Sequence, residues 1–396
     1  MNREEQATLI VQLRDEAAFE AMGKKWNSLL ETSGANTFFL TWEWMWTWWQ
    51  VYGSSYQLCL LEVSDEKGTC LGLAPLKISR RHYHCFPYRQ VEFIGYGPEG
   101  LCPDYLDLII APGVQEQVIR AVWSYFIDHK ESFDIVRLTD TPNSNQTLSF
   151  LNALTREIGY VAELEEGSRC LYLPIQGTWE DYSKSLTQKH RYNLRRREQD
   201  LQKLHGLTFE VIQTRPALDE AIEELFKLHQ GVWNARGEGG SFDCHPSNRS
   251  FHRLLVDRII SFGGVVIYAL RIDGALGAML YAYRYDNRVF HYQNGRDEKW
   301  LKYGIGQLLV RSTLQFLFKE GVREFDFLRG QYPYKYDWTK LEHLNMNLAV
   351  WNQNAYGQLL HSLMRIERFL RRTGRPIKRM IRKAFLKEEK ASSPLQ

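Results

Sequence analysis

The sequence predicts an α/β protein made of two tandem domains of one topology, each a mixed, mostly antiparallel sheet flanked by helices. Two observations predict this class. Residues 289–328 read as a strand, a Gly-rich turn, a helix and a second strand. A hairpin followed by this strand–helix–strand pattern occurs twice, once in each half of the chain. A meander followed by a helical crossover gives a mixed sheet with a right-handed connection.

Length and composition are those of a globular protein without a membrane span. The chain has 396 residues, which suits two domains, with 44% hydrophobic and 24% charged residues. There is no run of eighteen apolar residues, and the acidic N-terminus lacks the apolar core of a signal peptide. The six cysteines have no metal-like spacing. These features predict a cytoplasmic protein with reduced thiols and no metal site.

Charge is unevenly distributed. The formal net charge is +3, whereas residues 365–390 contain eleven Lys or Arg and three Glu and so carry +8, which leaves about −5 for the remainder. These residues belong to the segment 359–396, here called the basic tail. We expect the basic tail to be a solvated helix, with contact to an anionic membrane surface as the alternative. Because the body of the chain is not basic, nucleic acid is not predicted as a general partner.

The first half reads as a meander and a strand–helix–strand unit. A strand near residues 8–13 and a helix over 15–31 precede a helix in which Trp42, Met45, Trp46 and Trp49 share one face. Burial in the core is the favoured interpretation of that face, ahead of a carbohydrate site. The following elements are strands at 57–63, 70–78, 89–95 and 105–110, a helix at 112–130, a strand at 133–138 and a helix at 148–158.

The second half repeats this plan. A long helix rich in Arg and Lys is predicted over 181–204, and the turn Asp273-Gly274 is a strong hairpin signal. The other elements are strands at 209–212, 265–272, 275–285, 288–293 and 325–328 and helices at 217–230, 252–262 and 305–320. The duplication predicts one domain over residues 1–168 and another over 169–358, followed by the basic tail.

The turn before the helix at 305–320 is the first candidate site. Gly304 and Gly306 flank Ile305 at the point where the helical period starts, and Gly321 ends the helix. The first turn of a helix presents unpaired N–H groups and the positive end of the helix dipole. Two glycines there allow a phosphate or pyrophosphate to approach the backbone closely. A tight turn without a ligand is the alternative, since Gly-x-Gly alone is weakly specific.

Three segments resemble a known superfamily. They are KHRYNLRRR at 189–197, LHQGVWNARG at 228–237, and FDFLRG with YKYDW at 325–330 and 334–338. Together with the meander and the Gly-x-Gly helix start they resemble the GNAT acyltransferases, specifically the CelD/BioF2-like group. The resemblance covers residues 170–350 well and the N-terminal half loosely. Tandem GNAT domains also resemble the Fem peptidyltransferases, which use aminoacyl-tRNA.

The resemblance implies a donor site for acetyl-CoA or another acyl-CoA in the second domain. The first domain has only Pro112-Gly113 at the corresponding turn, so no donor site is expected there. The sequence departs from the GNAT pattern at Leu301, where Gln or Arg is usual, and Lys302 is the expected replacement. The residues expected to hold the pyrophosphate are Lys302, Tyr303, Gly304, Ile305, Gly306 and Gln307, and those expected to line the pantetheine are Gln293, Asn294 and Gly295.

Four residues are candidates for catalysis. Asp326 alternates with Phe325 and Phe327, so it faces a cleft as a base or acceptor anchor if those rings are buried; an ion pair with Arg329 or Arg323 is the alternative. Tyr334 and Lys335 are candidates to protonate the thiolate or bind the acceptor, with a polar rim as the alternative. His229 is a candidate general base, or a core histidine.

Three further residues are candidates for substrate binding. Trp233 and Arg236 follow His229 at helical spacing, and Arg195 lies in the basic helix. A solvated helix is the default for the arginines, and an anionic donor or acceptor is the alternative.

The predicted function is acyl transfer from acyl-CoA to an amine or hydroxyl of a sugar, a polysaccharide precursor or a similar envelope-linked metabolite. The acceptor class rests on the resemblance alone. Two alternatives stay open: Fem-like transfer from aminoacyl-tRNA, and a non-catalytic binding protein with the GNAT fold.

Overall fold

The computed structural model describes residues 9–234 and 240–371, of which residues 232–234 are described by their backbone alone. Within these residues the first half has seven strands and five helices. The strands are β1 Ile10–Arg14, β2 Gln57–Ser64, β3 Cys70–Tyr83, β4 Phe86–Phe93, β5 Ile109–Ile110, β6 Ile135–Pro142 and β7 Val161–Pro174. The helices are α1 Glu16–Ala21, α2 Gly23–Thr32, α3 Trp42–Tyr52, α4 Gln115–Asp128 and α5 Thr147–Glu157.

The second half has six strands and six helices among the described residues. Its strands are β8 Leu207–Ile212, β9 Val265–Ile272, β10 Ala275–Tyr285, β11 Arg288–Arg296, β12 Glu324–Arg329 and β13 Glu342–Trp351. Its helices are α6 Trp179–Ser185, α7 Gln188–Gln202, α8 Ala217–Asn234, α9 Asn248–Ile259, α10 Ile305–Glu320 and α11 over residues 355–371. Among the described residues, no helix combines the length and apolarity that crossing a membrane would need.

The predicted fold class is confirmed. In each half, antiparallel strands lead into a strand, a helix and a second strand that pairs in parallel with the first: β4, α4 and β6 in one half, and β11, α10 and β12 in the other. This repeat accounts for the duplication read from the sequence. Helix α11 covers the beginning of the basic tail, and the helix predicted for the rest of the tail stays a prediction, because residues 372–396 lie outside the described part.

The two halves share one continuous sheet. The strand order is β1-β2-β3-β4-β6-β13-β7-β12-β11-β10-β9-β8, and β5 pairs with β3. The last strand, β13, lies between β6 and β7, with Leu348 opposite Leu138 on one side and Leu164 on the other. The division at 168/169 stays a prediction, and this point of the chain lies inside β7.

Several local predictions need correction. The helices predicted over 15–31 and 181–204 are each two helices. The second breaks at Leu186 and Thr187, where the backbone is extended and the Thr187 side chain accepts a hydrogen bond from the His190 N–H (3.2 Å) to cap α7. Strands β7 and β13 were not predicted at all. The strand predicted at 105–110 is reduced to β5.

The Trp-rich helix α3 is buried, as predicted, but on more than one face. Trp44 and Trp48 are fully buried along with Met45. Trp44 packs edge-on against Phe251 and Tyr283 of the second half, with ring centroids 5.1 and 5.7 Å apart. Helix α3 therefore fills the core between the two halves, and its indoles do not form a carbohydrate platform.

Candidate functional site

Strands β11 and β12 separate from each other at the centre of the second half. β11 and β12 pair in parallel over three residues only, from Arg288–Glu324 to Phe290–Asp326. Beyond them both strands are irregular. The pairing of β10 with β11 skips Tyr292, and the pairing of β12 with β7 skips from Asp326 to Arg329, with Leu328 at a φ of 55°. Because a leucine is strained at positive φ, its neighbours must hold this shape.

The N-terminus of α10 lies at this opening. Gly304 adopts a φ of 62°, α10 begins at Ile305, and no side chain caps the helix. A left-handed residue at this point favours glycine. The helix therefore presents its first N–H groups and positive dipole end uncapped, as the anion-site prediction requires.

Two arginines lie against these glycines. A Cβ on Gly304 would come 2.7 Å from Nη1 of Arg197, and a Cβ on Gly306 would come 3.1 Å from Cδ of Arg296. Arg197 comes from α7 and Arg296 from the end of β11. Guanidinium groups bind phosphate oxygens with paired N–H donors. The helix start and both arginines together form a site suited to an anion.

A cavity of about 120 Å³ adjoins the helix start, where the sequence predicts the acyl donor, and is called the donor cavity below. It brings together four residues of the predicted site: Asn294, Gly306, Gln307 and Tyr334. The rest of its lining consists of Leu280, His291, Arg296, Leu309 and Val310. Apolar walls with a few polar groups at one end are typical of a small-molecule site.

Gln307 links the helix start to the segment after β12. Its Oε1 accepts a hydrogen bond from the indole N–H of buried Trp338, at 2.8 Å. His190 of α7 packs edge-on against the same indole, with centroids 4.7 Å apart. The segment 334–338 and helix α7 are thereby fixed around the cavity.

The remaining donor-site candidates are not part of the lining of this cavity. Lys302 is exposed, with Nζ 5.0 Å from the ring centroid of Tyr303. Gln293 donates to Oγ of Ser241 at 3.2 Å. Two positions are dictated by packing: Ile305 is fully buried, and a Cβ on Gly295 would come 2.9 Å from Cβ of Leu228.

Tyr334 is the catalytic candidate that lines the donor cavity. Its side chain is half-buried, and burial raises the pKa of its phenol to about 12. The phenol therefore carries its proton at neutral pH and has one to donate.

His229 is buried and hydrogen-bonded at both ring nitrogens. Nδ1 donates to the main-chain oxygen of Asn294 (2.9 Å), and Nε2 accepts from the N–H of Ser241 (3.2 Å). Burial lowers the pKa of His229, which keeps the ring neutral. The histidine thus ties α8 to the end of β11, and its role as a base stays a prediction.

Lys335 holds the distorted end of β12. Its buried Nζ donates to the carbonyl oxygens of Phe327, Leu328 and Arg329, at 2.7, 2.9 and 2.6 Å. Burial lowers the pKa of Lys335 to about 8, whereas the three acceptors engage all three hydrogens of its ammonium form. The predicted contact with thiolate or acceptor therefore stays a prediction.

Asp326 faces away from the donor cavity. Phe325 and Phe327 are buried on the α10 side of the sheet, and Asp326 lies on the opposite side, where it lines a second cavity of about 370 Å³. Its carboxylate accepts from the Tyr105 hydroxyl and the Leu328 N–H, both at 2.7 Å. Burial raises the pKa of Asp326 to about 7.

The two arginines considered as partners of Asp326 pair with other carboxylates. Arg329 pairs with Asp104 and Asp140 at 2.7 and 3.0 Å, and Arg323 pairs with Asp286 at 2.9 Å. The cleft-facing orientation inferred for Asp326 is thus what the structure shows.

The family comparison agrees with this geometry. Residues 188–336 match the family model described as "Acetyltransferase (GNAT) domain". This part of the chain is similar to GNAT acetyltransferase domains.

Solved structures extend the similarity to the whole fold. A structure of FemX aligns with a TM-score of 0.61 at 10% identity, covering 89% of this chain and 99% of that one. A protein of unknown function from Bacteroides thetaiotaomicron gives 0.51 at 9% identity, covering 87% and 100%. The C-terminal domain of a protein named as a putative lysylphosphatidylglycerol synthetase, from Agrobacterium fabrum, gives 0.50 at 12% identity, covering 88% and 96%. No curated protein sequence matches the chain.

The matched region does not bring every predicted residue to the donor cavity. Arg195 is exposed on α7, whereas Arg197 on the same helix contacts the glycine turn. The Trp233 side chain and Arg236 lie outside the described residues. The CelD/BioF2-like placement stays a prediction.

Four residues of the site were not predicted: Arg197, Arg296, His291 and Tyr105. Arg197 lies in the predicted basic helix, but the sequence did not show which side of that helix faces the glycine turn. Arg296 follows the predicted end of its strand by three residues. Tyr105 carries no local signal, since 221 residues separate it from Asp326.

Proposed function

We propose that the GNAT domain transfers an acetyl or other acyl group from acyl-CoA to an amine or hydroxyl acceptor. The observation that carries this proposal is the uncapped start of α10, flanked by Arg197 and Arg296 and open to the small cavity between β11 and α10. A helix N-terminus suited to an anion lies next to an apolar cavity. The phosphate end of a pantetheine phosphate matches the helix N-terminus, and its pantetheine end matches the cavity.

The donor would be held by residues of three elements. Arg197 and Arg296 would bind the pyrophosphate together with the first N–H groups of α10. The opening between β11 and β12, which pair over three residues only, would receive the thioester arm. Holding the thioester in one orientation is the main contribution of such a site to the rate.

Proton transfer would use Tyr334. When an amine or hydroxyl attacks the thioester carbonyl, a C–N or C–O bond forms and the attacking group loses a proton to solvent, while the C–S bond breaks and a thiolate leaves. Tyr334 lines the donor cavity and keeps its proton at neutral pH, so it is placed to protonate that thiolate. The acceptor, an amino or hydroxyl group of a sugar or polysaccharide precursor, is proposed from the sequence resemblance.

Calorimetric titration with acetyl-CoA and longer acyl-CoAs tests the donor site. We expect one site per chain, and we expect Arg296→Ala to weaken binding by about tenfold or more, because charge-assisted hydrogen bonds contribute about 1.5–3 kcal/mol. Arg195→Ala is the matched control, since it removes an exposed arginine from α7 and should leave the affinity unchanged. Equal affinities for wild type and Arg296→Ala, or no binding at all, would refute the donor assignment.

A second function is favoured by a specific surface. Helix α7 exposes Arg195, Arg196 and Tyr192 on a face that continues to Arg197 at the donor glycines. Such a basic surface suits the phosphates of an aminoacyl-tRNA donor. Binding of aminoacyl-tRNA that weakens steeply with salt and with Arg195→Ala, without any binding of CoA, would establish this alternative. Absence of binding to both ligands would favour a non-catalytic binding protein.

Two further proposals come from the sequence. The first is that the basic tail contacts an anionic membrane surface, and the second is that the protein is cytoplasmic. Co-sedimentation of the full chain and of a chain ending at residue 371 with anionic vesicles tests the first.

A further inference from the structure

A group of three potential ligands lies on the side of the sheet away from the donor cavity. Oxygen atoms of Glu324 and Asp326 and a ring nitrogen of His343 lie within 4.8 Å of one another. Glu324 and Asp326 share a face of β12 because they are two residues apart. His343 reaches them from β13, across β7, with its Nε2 3.9 Å from Oε2 of Glu324.

Neighbouring groups fix the orientation of two of these side chains. The hydrogen bonds from the Tyr105 hydroxyl and the Leu328 N–H hold one Asp326 oxygen each and leave each oxygen a further lone pair. The His343 ring stacks flat on Tyr172, with centroids 3.8 Å apart and planes at 10°. Ligands oriented by surrounding groups in this way are a general property of metal sites.

An independent feature of the same cavity indicates a missing ligand. Thr37 lines the cavity with a side chain that is 3% exposed, and its Oγ1 has no hydrogen-bond partner among the described residues. The buried Oδ1 of Asn36, next to it in the lining, also has none there. Since buried polar atoms are rarely left unpaired, these oxygens are expected to meet a bound species or its water ligands.

The charges around the cavity favour a cation. Asp326 and Glu342 contribute two carboxyl groups to the lining, and Glu324 adds a third beside Asp326 and His343. Glu342 is engaged by Arg169 and Tyr336. Arg288 is the cation within the described lining, and its guanidinium pairs with Asp286 and donates to the main-chain oxygen of Asn36. Neither Glu324 nor Asp326 has a Lys or Arg partner among the described ion pairs.

We propose that Glu324, Asp326 and His343 bind a divalent transition-metal cation, with the oxygens of the cavity completing its coordination through water. Two carboxylates and one imidazole suit Zn²⁺ or Mn²⁺ better than Mg²⁺, which prefers oxygen ligands alone. This departs from the metal-free site predicted from the sequence. The ion would connect β12 to β13 on the side of the sheet opposite the donor cavity. The proposal therefore does not depend on the identity of the acyl donor.

Metal titration of the full chain, stripped with a chelator, tests the proposal. We expect Zn²⁺ and Mn²⁺ to bind with one strong site per chain and Mg²⁺ to bind at least tenfold more weakly. Glu324→Gln and Asp326→Asn keep the side-chain shape, and each should weaken binding at least tenfold. Glu210→Gln, which removes a carboxylate that pairs with Arg271 and does not line this cavity, is the control and should bind as wild type does.

A spectroscopic probe keeps the test independent of folding defects in buried variants. His343 is 40% exposed, so His343→Phe should fold and retain the stack on Tyr172. With Co²⁺ as probe, wild type should give a visible absorption band that changes in His343→Phe and persists in His361→Gln. Absence of stoichiometric binding in wild type would overturn the proposal. Equal binding in wild type and all ligand variants would overturn it as well, because the metal would then lie elsewhere.

Discussion

At the residue scale, the second half depends on buried histidines that stay neutral. Burial lowers the pKa of His252 and of His291 to about 3. His252 lies among aromatic rings, with Nδ1 3.3 Å from the Tyr283 hydroxyl, and His291 lines the donor cavity. A histidine in the unfolded chain has a pKa of about 6.5. Protonation therefore favours the unfolded state below that pH.

This gives a pH prediction with a defined sign. As the pH falls from about 6.5 toward 3, these histidines bind protons in the unfolded chain but not in the folded chain. The free energy of unfolding therefore decreases. Each of the two histidines should contribute a loss of about 2 kcal/mol by pH 5. Urea unfolding at pH 7.5, 6 and 5 measures this slope. His252→Gln should flatten it, and exposed His84→Gln should not; equal slopes in all three proteins would contradict the prediction.

Lys335 provides a second prediction at this scale. Replacing it by Met leaves three buried carbonyl groups of β12 without their donor, so we expect a loss of about 2–4 kcal/mol in the free energy of unfolding. Exposed Lys340→Met should change it by less than about 0.5 kcal/mol. Urea titration of both variants provides the measurement. A Lys335→Met protein as stable as wild type would show that this strand end does not need the lysine.

At the element scale, α10 has a left-handed glycine at each end. Gly304 has a φ of 62° with Arg197 beside it, and Gly321 has a φ of 71° with no atom within 4 Å of the position that a Cβ would take. The two ends thus share a backbone requirement but differ in what surrounds them.

This difference allows a test of whether Gly304 belongs to a ligand site, with Gly321 as the glycine that has only a structural role. Gly304→Ala and Gly321→Ala should each lower stability by about 1–2 kcal/mol, the cost of a left-handed alanine. Gly304→Ala should in addition weaken acyl-CoA binding, because its Cβ displaces Arg197. Thermal unfolding and calorimetry of the pair measure both effects. If both variants bind the donor as wild type does, the turn at Gly304 is not part of the donor site.

Helix α10 and the elements next to it were predictable because their sequence patterns are local. The apolar period of α10, the stop at Gly321 and the turn at Asp273-Gly274 all read directly from adjacent residues. Strands β7 and β13 were missed because their polar residues break the alternation. Similarly, the candidate anion site was predicted from two glycines, whereas Arg197 and Arg296 reach it from other elements and required the tertiary structure.

At the scale of the whole molecule, the two halves are joined through β13. This strand pairs with β6 of the first half and β7 on its other side, and Trp44 of the first half packs into the core of the second. The first half also supplies Tyr105 and Asp104 to side chains of β12. The halves therefore share both a sheet and a site.

We expect neither half to fold alone. A fragment of residues 1–168 lacks β13 and half of β7. A fragment of residues 169–371 lacks β6, most of the β7 residues that pair with β13, and the Tyr105 contact. Each should give little cooperative unfolding, whereas the intact chain should unfold in one transition. Calorimetric scans of the three proteins provide the comparison. Two independent transitions in the intact chain would instead support separate domains.

The position of β13 also determines the order in which the protein is completed during synthesis. One edge of β6 and one edge of β7 have no partner until residues 342–351 leave the ribosome, about 200 residues after β6 has emerged. At about 5–20 residues per second, this interval lasts about 10–40 seconds. Unpaired strand edges are aggregation-prone for as long as they stay open. The nascent chain is therefore expected to need chaperone protection until its last strand closes the sheet.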